Sequence, residues 1–169
     1  MAAWIRFSLA ALLLFGLAAC DQQGKDSKKD AAASAEKAVV HPPSDPTDKK
    51  GWGNYINFVA GQHMSRIRGR PNSFFLASSQ EPEWEGRLQG MHESVANSLA
   101  RGILPRSLVI FISPDYKAMA DLMVEEFELA QPGTLRDVRI LFIGAAEDEE
   151  RVRAVVEPTG AEFVFHEAK

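Results

Sequence analysis

The sequence contains a single cysteine, Cys20, among its 169 residues. An internal disulfide framework and a cysteine-based zinc cluster are therefore excluded, because each needs more than one cysteine. The chain also lacks a glycine-rich phosphate loop, a Gly-x-Ser-x-Gly elbow and a pair of histidines at metal-ligand spacing. We expect no cofactor and no bound metal, and we expect the folded part to depend on its apolar core alone.

Basic residues are outnumbered by acidic ones, 19 to 23, and the formal net charge is -4. Nucleic acid is not expected as a partner, because binding its phosphates needs a concentrated positive face. The charge is also unevenly distributed. Residues 107–169 carry six basic and thirteen acidic side chains, whereas residues 51–106 carry six basic and four acidic ones. Because surfaces that bind each other carry complementary charges, this imbalance affects which protein surfaces the domain can bind.

The longest hydrophobic run, residues 7–17, is too short to cross a bilayer comfortably as a permanent helix. Such a helix needs roughly 20 apolar residues to span a hydrocarbon core of about 30 Å. Arg6 precedes the run. A positive start followed by a short apolar stretch is typical of a secretory signal peptide, which is removed from the mature protein.

The run closes with Leu17-Ala18-Ala19-Cys20, which resembles the lipobox of bacterial lipoproteins. The resemblance covers the leader only. It implies cleavage before Cys20, a diacylglyceryl thioether on its Sγ and acylation of the new amino terminus. Two or more acyl chains anchor stably, since each buried CH₂ contributes about 0.8 kcal/mol. Asp21 resembles the inner-membrane retention signal of the enterobacterial version, so the inner membrane is favoured and the outer membrane is the alternative.

Three regions follow from these patterns. Residues 1–19 are predicted to be the signal peptide, residues 20–50 a lipidated tether, and residues 51–169 the folded domain, held in the cell envelope facing the periplasm. Residues 21–50 consist mostly of Asp, Gln, Lys, Ser, Ala and Pro. Such a segment buries too little apolar surface to offset the entropy lost on ordering, so we predict a disordered spacer.

Helical and strand patterns alternate through the predicted domain. Apolar spacings of three and four predict a first helix over residues 52–68, and three further helices follow it. Short apolar runs predict buried strands at residues 73–78, 108–112, 138–143 and 162–166. This order predicts an α/β fold, a small three-layer sandwich with a mainly parallel four-stranded sheet preceded by an N-terminal helix. A two-layer α+β sheet with one antiparallel strand is the alternative.

A candidate binding rim is predicted where the strands end, because ligands of parallel sheets usually bind at the carboxyl ends of the strands. The set includes the residue types of a serine hydrolase, but no sequence spacing groups them, and we predict no catalytic residue among them. The candidate residues are Ser78, Ser79, Gln80, Ser113, Asp115, Gly144, Asp148 and His166.

A candidate basic edge is predicted at Arg66, Arg68 and Arg70, where arginine alternates with other residues. On a helix these side chains diverge, whereas in an extended turn alternate residues share one side. The edge is either a solvated surface or a surface that meets anionic lipid headgroups or an acidic protein.

Three functions are compatible with these patterns. The first is a non-enzymatic envelope module that binds a protein partner, as an accessory subunit or as an immunity protein. The second is a small envelope hydrolase, and the third is a small-ligand-binding protein, each with its site at the strand ends. The first fits best with the absence of catalytic motifs, and it requires an envelope protein partner besides the membrane that holds the lipid on Cys20.

Overall fold

A computed structural model describes residues 40–169; residues 1–39, which include the predicted signal peptide, Cys20 and most of the tether, lie outside the described part. The described chain alternates helices and strands. The elements are α1 (Lys49–Gln62), β1 (Asn72–Phe75), α2 (Trp84–Arg101), β2 (Leu108–Ile112), α3 (Tyr116–Glu128), β3 (Arg139–Gly144), α4 (Glu149–Val156) and β4 (Glu162–Glu167). Two single-turn 3₁₀ helices, Ala146–Asp148 and Glu157–Thr159, flank α4.

The four strands form one sheet in the order β1-β2-β3-β4, and every pair is parallel. The predicted α/β class with a parallel four-stranded sheet is confirmed, and the alternative with an antiparallel strand is wrong. The register aligns four phenylalanines in a row across the sheet. They are Phe74, Phe111, Phe142 and Phe165.

One face of the sheet is covered by α1. Trp52, Tyr55 and Val59 lie on its buried side, and they pack with the even-numbered residues of β2 and the odd-numbered residues of β3. The sheet residues in this cluster are Leu108, Ile110, Ile112, Leu141 and Ile143. Because α1 precedes the first strand, it is not part of a crossover between two strands, and it packs on the face opposite the crossover helices.

The other face is covered by the three crossover helices. Val95 of α2, Met119 of α3 and Val152 of α4 are fully buried against it. The phenylalanine row faces the same side, because Phe74, Phe111, Phe142 and the partly buried Phe165 belong to this cluster. Strand residues buried on both faces explain why β2 and β3 are apolar along nearly their whole length.

The chain contacts the domain before the predicted start at residue 51. Val40 packs on the α1 side of the core, and the Trp52 indole N–H donates to the carbonyl of Asp45 at 3.3 Å. The Asp48 carboxylate accepts a hydrogen bond from the Gly51 N–H at 2.9 Å and so caps α1. Residues 40–48 therefore belong to the folded unit.

Candidate functional site

The loops after β1 and β2 bring together five residues of the predicted rim. The Ser113 hydroxyl accepts from the N–H of Asp115 at 2.9 Å, and the Ser78 hydroxyl accepts from the N–H of Gln80 at 3.2 Å. The Asp115 carboxylate accepts from the N–H of Ser79, which ties one loop to the other. Ser78 and Ser113 are buried. These polar groups therefore hold the turns that end the two strands.

Gly144 and Asp148 lie at the end of β3, and each has a structural partner. A Cβ at Gly144 would overlap the buried ring of Phe142, so this position is glycine because the ring lies across it. The buried Asp148 carboxylate accepts from Arg151 Nε at 2.8 Å through Oδ1. Arg151 also bonds Asp121 of α3 at 2.7 Å, so Arg151 joins α4 to α3 and Asp148 holds one side of its guanidinium. Asp148 Oδ2 has no hydrogen-bond partner among residues 40–169.

His166 lies on β4 opposite Ile143 of β3, the residue before Gly144, and it packs against α1. Its ring lies edge-on to Tyr55 of α1, with ring centroids 6.1 Å apart. Within the described residues no hydrogen bond joins His166 to Ser113 or Asp115. The serine, histidine and aspartate of the rim are thus not assembled into a hydrogen-bonded catalytic group.

Acidification is expected to destabilise the domain through two half-buried histidines. Burial lowers the pKa of His166. The pKa of His63 is lowered chiefly by burial and further by the charges of His166 and Arg139, whereas Glu162 acts in the opposite direction. Both pKa values lie below the unfolded value of about 6.5, so the unfolded chain binds more protons. The free energy of unfolding should fall as pH drops below about 6.5, by at most about 1.4 kcal/mol per pH unit for each histidine.

Urea unfolding between about pH 7 and pH 5.5 checks this, since paired carboxylates lose their contribution at lower pH. His166→Gln should flatten the pH dependence. If the unfolding free energy of His166→Gln depends on pH as steeply as that of the unchanged chain, protonation of His166 does not cause the loss of stability.

The predicted basic edge lies at the opposite, amino-terminal edge of the sheet. Arg66, Arg68 and Arg70 follow the end of α1 in the loop before β1, and all three are exposed. Hydrogen bonds join this loop to the loop before β2, and that loop to the loop before β3. The N–H of Arg68 donates to the carbonyl of Arg106 at 2.8 Å, and the N–H of Arg106 donates to the carbonyl of Asp137 at 2.6 Å.

Six exposed arginines share these pre-strand loops and the end of α2. They are Arg66, Arg68, Arg70, Arg101, Arg106 and Arg136, and we call this set the arginine edge. Within the described residues, none of the six has an acidic group within 4.0 Å. The seventh arginine here, Arg139, is buried and paired with Glu162. Asp137 is the one acidic residue within the same loops.

Two arginines of this edge occupy a strained backbone conformation. Arg66 has φ 65° and Arg106 has φ 64°. The left-handed region costs a non-glycine residue about 1–2 kcal/mol. Glycine or asparagine would satisfy the backbone more easily at both positions, so the turns themselves do not explain the presence of arginine.

Two leucines at the same end of the sheet are almost fully exposed. Leu104 follows α2 and is 79% exposed, and Leu129 follows α3 and is 81% exposed. Each lines an open cleft beside the last turn of α2. One cleft, about 430 Å³, contains Leu99, Ala100 and Leu129, and the other, about 230 Å³, contains Arg70, Arg101 and Leu104.

Three of the six residues of the arginine edge were predicted from the sequence, and the other three were not. Arg101 ends α2, and Arg106 and Arg136 lie in the loops before β2 and β3, far from Arg66 in the chain. A signal existed, since each lies shortly before a predicted strand and the amino ends of parallel strands meet at one edge. Leu104 and Leu129 gave no such signal, because single exposed apolar residues are common.

No family model, no curated protein and no solved structure matches this chain. Within residues 40–169, no helix has the length and apolar character needed to cross a membrane. The same part of the chain holds no group of three or more His, Cys, Asp or Glu side chains placed to bind a metal ion.

Proposed function

We propose that this chain is a bacterial envelope lipoprotein, anchored through lipid on Cys20 and facing the periplasm, whose α/β domain is a non-enzymatic module that binds an acidic protein partner. The lipobox resemblance supports the anchor, and Asp21 favours the inner membrane. The partner is either an assembly in which the domain is an accessory subunit or a toxin that it neutralises. The arginine edge is the observation that supports partner binding.

The composition of the arginine edge is typical of a surface that binds another protein. Arginine presents a planar fork that binds a carboxylate through two hydrogen bonds, whereas lysine acts as a point charge. The four lysines of residues 40–169 lie at the start of α1, at the start of α3 and after β4, at the other end of the strands. Arginine is enriched in protein interfaces and lysine is depleted. The exposed Leu104 adds apolar area at the same end.

The point where the chain enters the domain supports a protein partner over lipid headgroups. Val40 packs on the α1 side of the core, and His41 Nδ1 lies 2.9 Å from the carbonyl oxygen of Lys169, beyond the carboxyl end of β4. Strands of five to six residues, about 17–20 Å long, separate this end from the arginine edge. The tether thus joins the domain at the end away from the arginines.

The structural roles of the rim residues also support a non-enzymatic binding module. Ser78, Ser113 and Asp115 hold the turns after β1 and β2. Within residues 40–169 the strand order also does not reverse, so this part of the chain lacks the switch-point crevice in which parallel α/β sheets usually bind small ligands.

Partner recovery from envelope extracts tests the proposal, with the full chain solubilised in neutral detergent as bait. In the edge variant Arg66→Asn, Arg68→Gln and Arg106→Asn are combined, because asparagine tolerates the left-handed backbone of residues 66 and 106. Recovery of a stoichiometric protein should fall at least about tenfold, since each desolvated charged hydrogen bond contributes about 1.5–3 kcal/mol.

The matched control removes the same charge from the other end of the domain by combining Lys50→Gln, Lys117→Gln and Lys169→Gln. This variant should recover the partner as well as the unchanged chain does. Equal recovery by the edge variant, or no stoichiometric protein with the unchanged chain at low salt, would refute the proposal.

A further inference from the structure

We propose that the cleft between Arg70 and Arg101 is the pocket in which the partner places one carboxylate and the apolar side chain next to it. This inference rests on the proposed function and specifies its contact point. The cleft lies where β1 and β2 begin and where α2 ends. Its lining residues that matter here are Arg70, Asn72, Arg101, Ile103, Leu104 and Val109.

The size of the cleft points to a side chain. Its volume is about 230 Å³, below the range of about 300–1,000 Å³ typical of sites for small molecules and cofactors. Its apolar lining includes Val109, which is buried in the sheet, and Ile103, which packs partly buried against the core. A short apolar side chain fits a floor of this kind.

The mouth of the cleft combines charge with exposed apolar surface. Arg70 and Arg101 are exposed and lack acidic partners within residues 40–169, and Leu104 is 79% exposed. Arginine is one of the residue types enriched at the interface positions that contribute most to binding. A carboxylate flanked by an apolar residue satisfies both features at once.

The two arginines have different roles, because α2 ends at Arg101. The carboxyl end of a helix has a partial negative charge, which a cation in its last turn offsets. Arg101 therefore compensates the helix end, and the attraction for a carboxylate depends chiefly on Arg70, which belongs to no helix. Arg70 is the informative position, since its replacement leaves the α2 terminus intact.

The test uses the full chain in neutral detergent and a fluorescently labelled peptide in which one leucine is flanked by glutamates on both sides. Fluorescence anisotropy gives the dissociation constant. Arg70→Gln and Leu104→Ser should each raise it at least about tenfold, whereas Leu129→Ser, which changes the other exposed leucine, should leave it within about twofold. Peptides with glutamine for glutamate, or serine for leucine, should bind correspondingly weakly.

The outcomes separate this inference from the proposed function. If the edge variant loses its envelope partner while Arg70→Gln and Leu104→Ser keep the peptide affinity, the cleft assignment is wrong and the proposed function stands. If neither partner nor peptide binds, both are wrong. If phosphatidylglycerol added to the micelles occupies the cleft in an Arg70-dependent way and the peptide does not bind, the ligand is a lipid headgroup and the inference is overturned.

Discussion

Phe111→Ala is expected to lower the free energy of unfolding by about 3–5 kcal/mol. Phe111 lies in the middle of β2 and is fully buried. Its ring stacks on Phe74 of β1 at a centroid distance of 5.0 Å and meets the edge of Phe127 of α3 at 5.7 Å. Truncation to alanine opens a cavity where two strands and a helix meet, and the two remaining rings lose their common neighbour.

Equilibrium unfolding in urea, followed by far-UV circular dichroism, measures this loss. A loss of this size is a large fraction of the about 5–15 kcal/mol that stabilises an ordinary domain. Leu104→Ala serves as the control and should change stability by no more than about 0.5 kcal/mol, because its side chain is exposed. Similar unfolding free energies for the two variants would contradict the described core.

The strands were the most predictable elements, and β2 shows why. All five residues of Leu108–Ile112 are apolar, which predicts a strand covered on both faces. In the structure the even-numbered residues contact the α1 layer and the odd-numbered residues contact the crossover helices. A run without polar alternation has no solvent-facing side, so its length and composition indicate a buried strand.

The predicted end of α1 is wrong, and the reason lies in the tertiary structure. The spacing of Ile67 from Val59 and His63 predicted a helix over residues 52–68, but α1 ends at Gln62. Ile67 still packs against the α1-side core, from a turn. The hydrogen bond from the N–H of Arg68 to the carbonyl of Arg106 holds that turn. A periodic pattern does not distinguish a continued helix from a chain that folds back onto the same core.

The candidate rim shows what residue types alone leave open. The topology does bring Ser78, Ser113 and Asp115 together, as their positions at the strand ends predicted. The two serine hydroxyls accept from backbone N–H groups two residues further on, a local bond that is common in turns, whereas the Asp115 carboxylate accepts from the N–H of Ser79 in the other loop. Gly144 is explained by the ring of Phe142. Neither the hydrogen bonds of the rim nor the position of the Phe142 ring can be predicted from the sequence, because both depend on where the loops and rings lie in the folded domain.

Arg139→Met is expected to cost about 2–4 kcal/mol, because one buried guanidinium joins three parts of the chain. Its Nη1 donates to the carbonyls of His63 at 2.6 Å and Ser65 at 3.2 Å, in the loop that precedes the arginine edge. Its Nη2 donates to both carboxylate oxygens of Glu162, at 2.9 and 2.8 Å. Glu162 is 58% exposed and is rehydrated when the pair is lost, which keeps the cost below that of a fully buried pair.

Arg153→Met is the matched control, since Arg153 also pairs with two carboxylates but lies on the surface of α4. Exposed pairs contribute little, so this variant should lose less than about 1 kcal/mol. Arg139→Met should also weaken partner recovery, because the loop that holds Arg66 and Arg68 loses its attachment to β3. If both methionine variants unfold at the same urea concentration, Arg139 does not fix this loop, and the arginine edge depends on the backbone bonds between the loops alone.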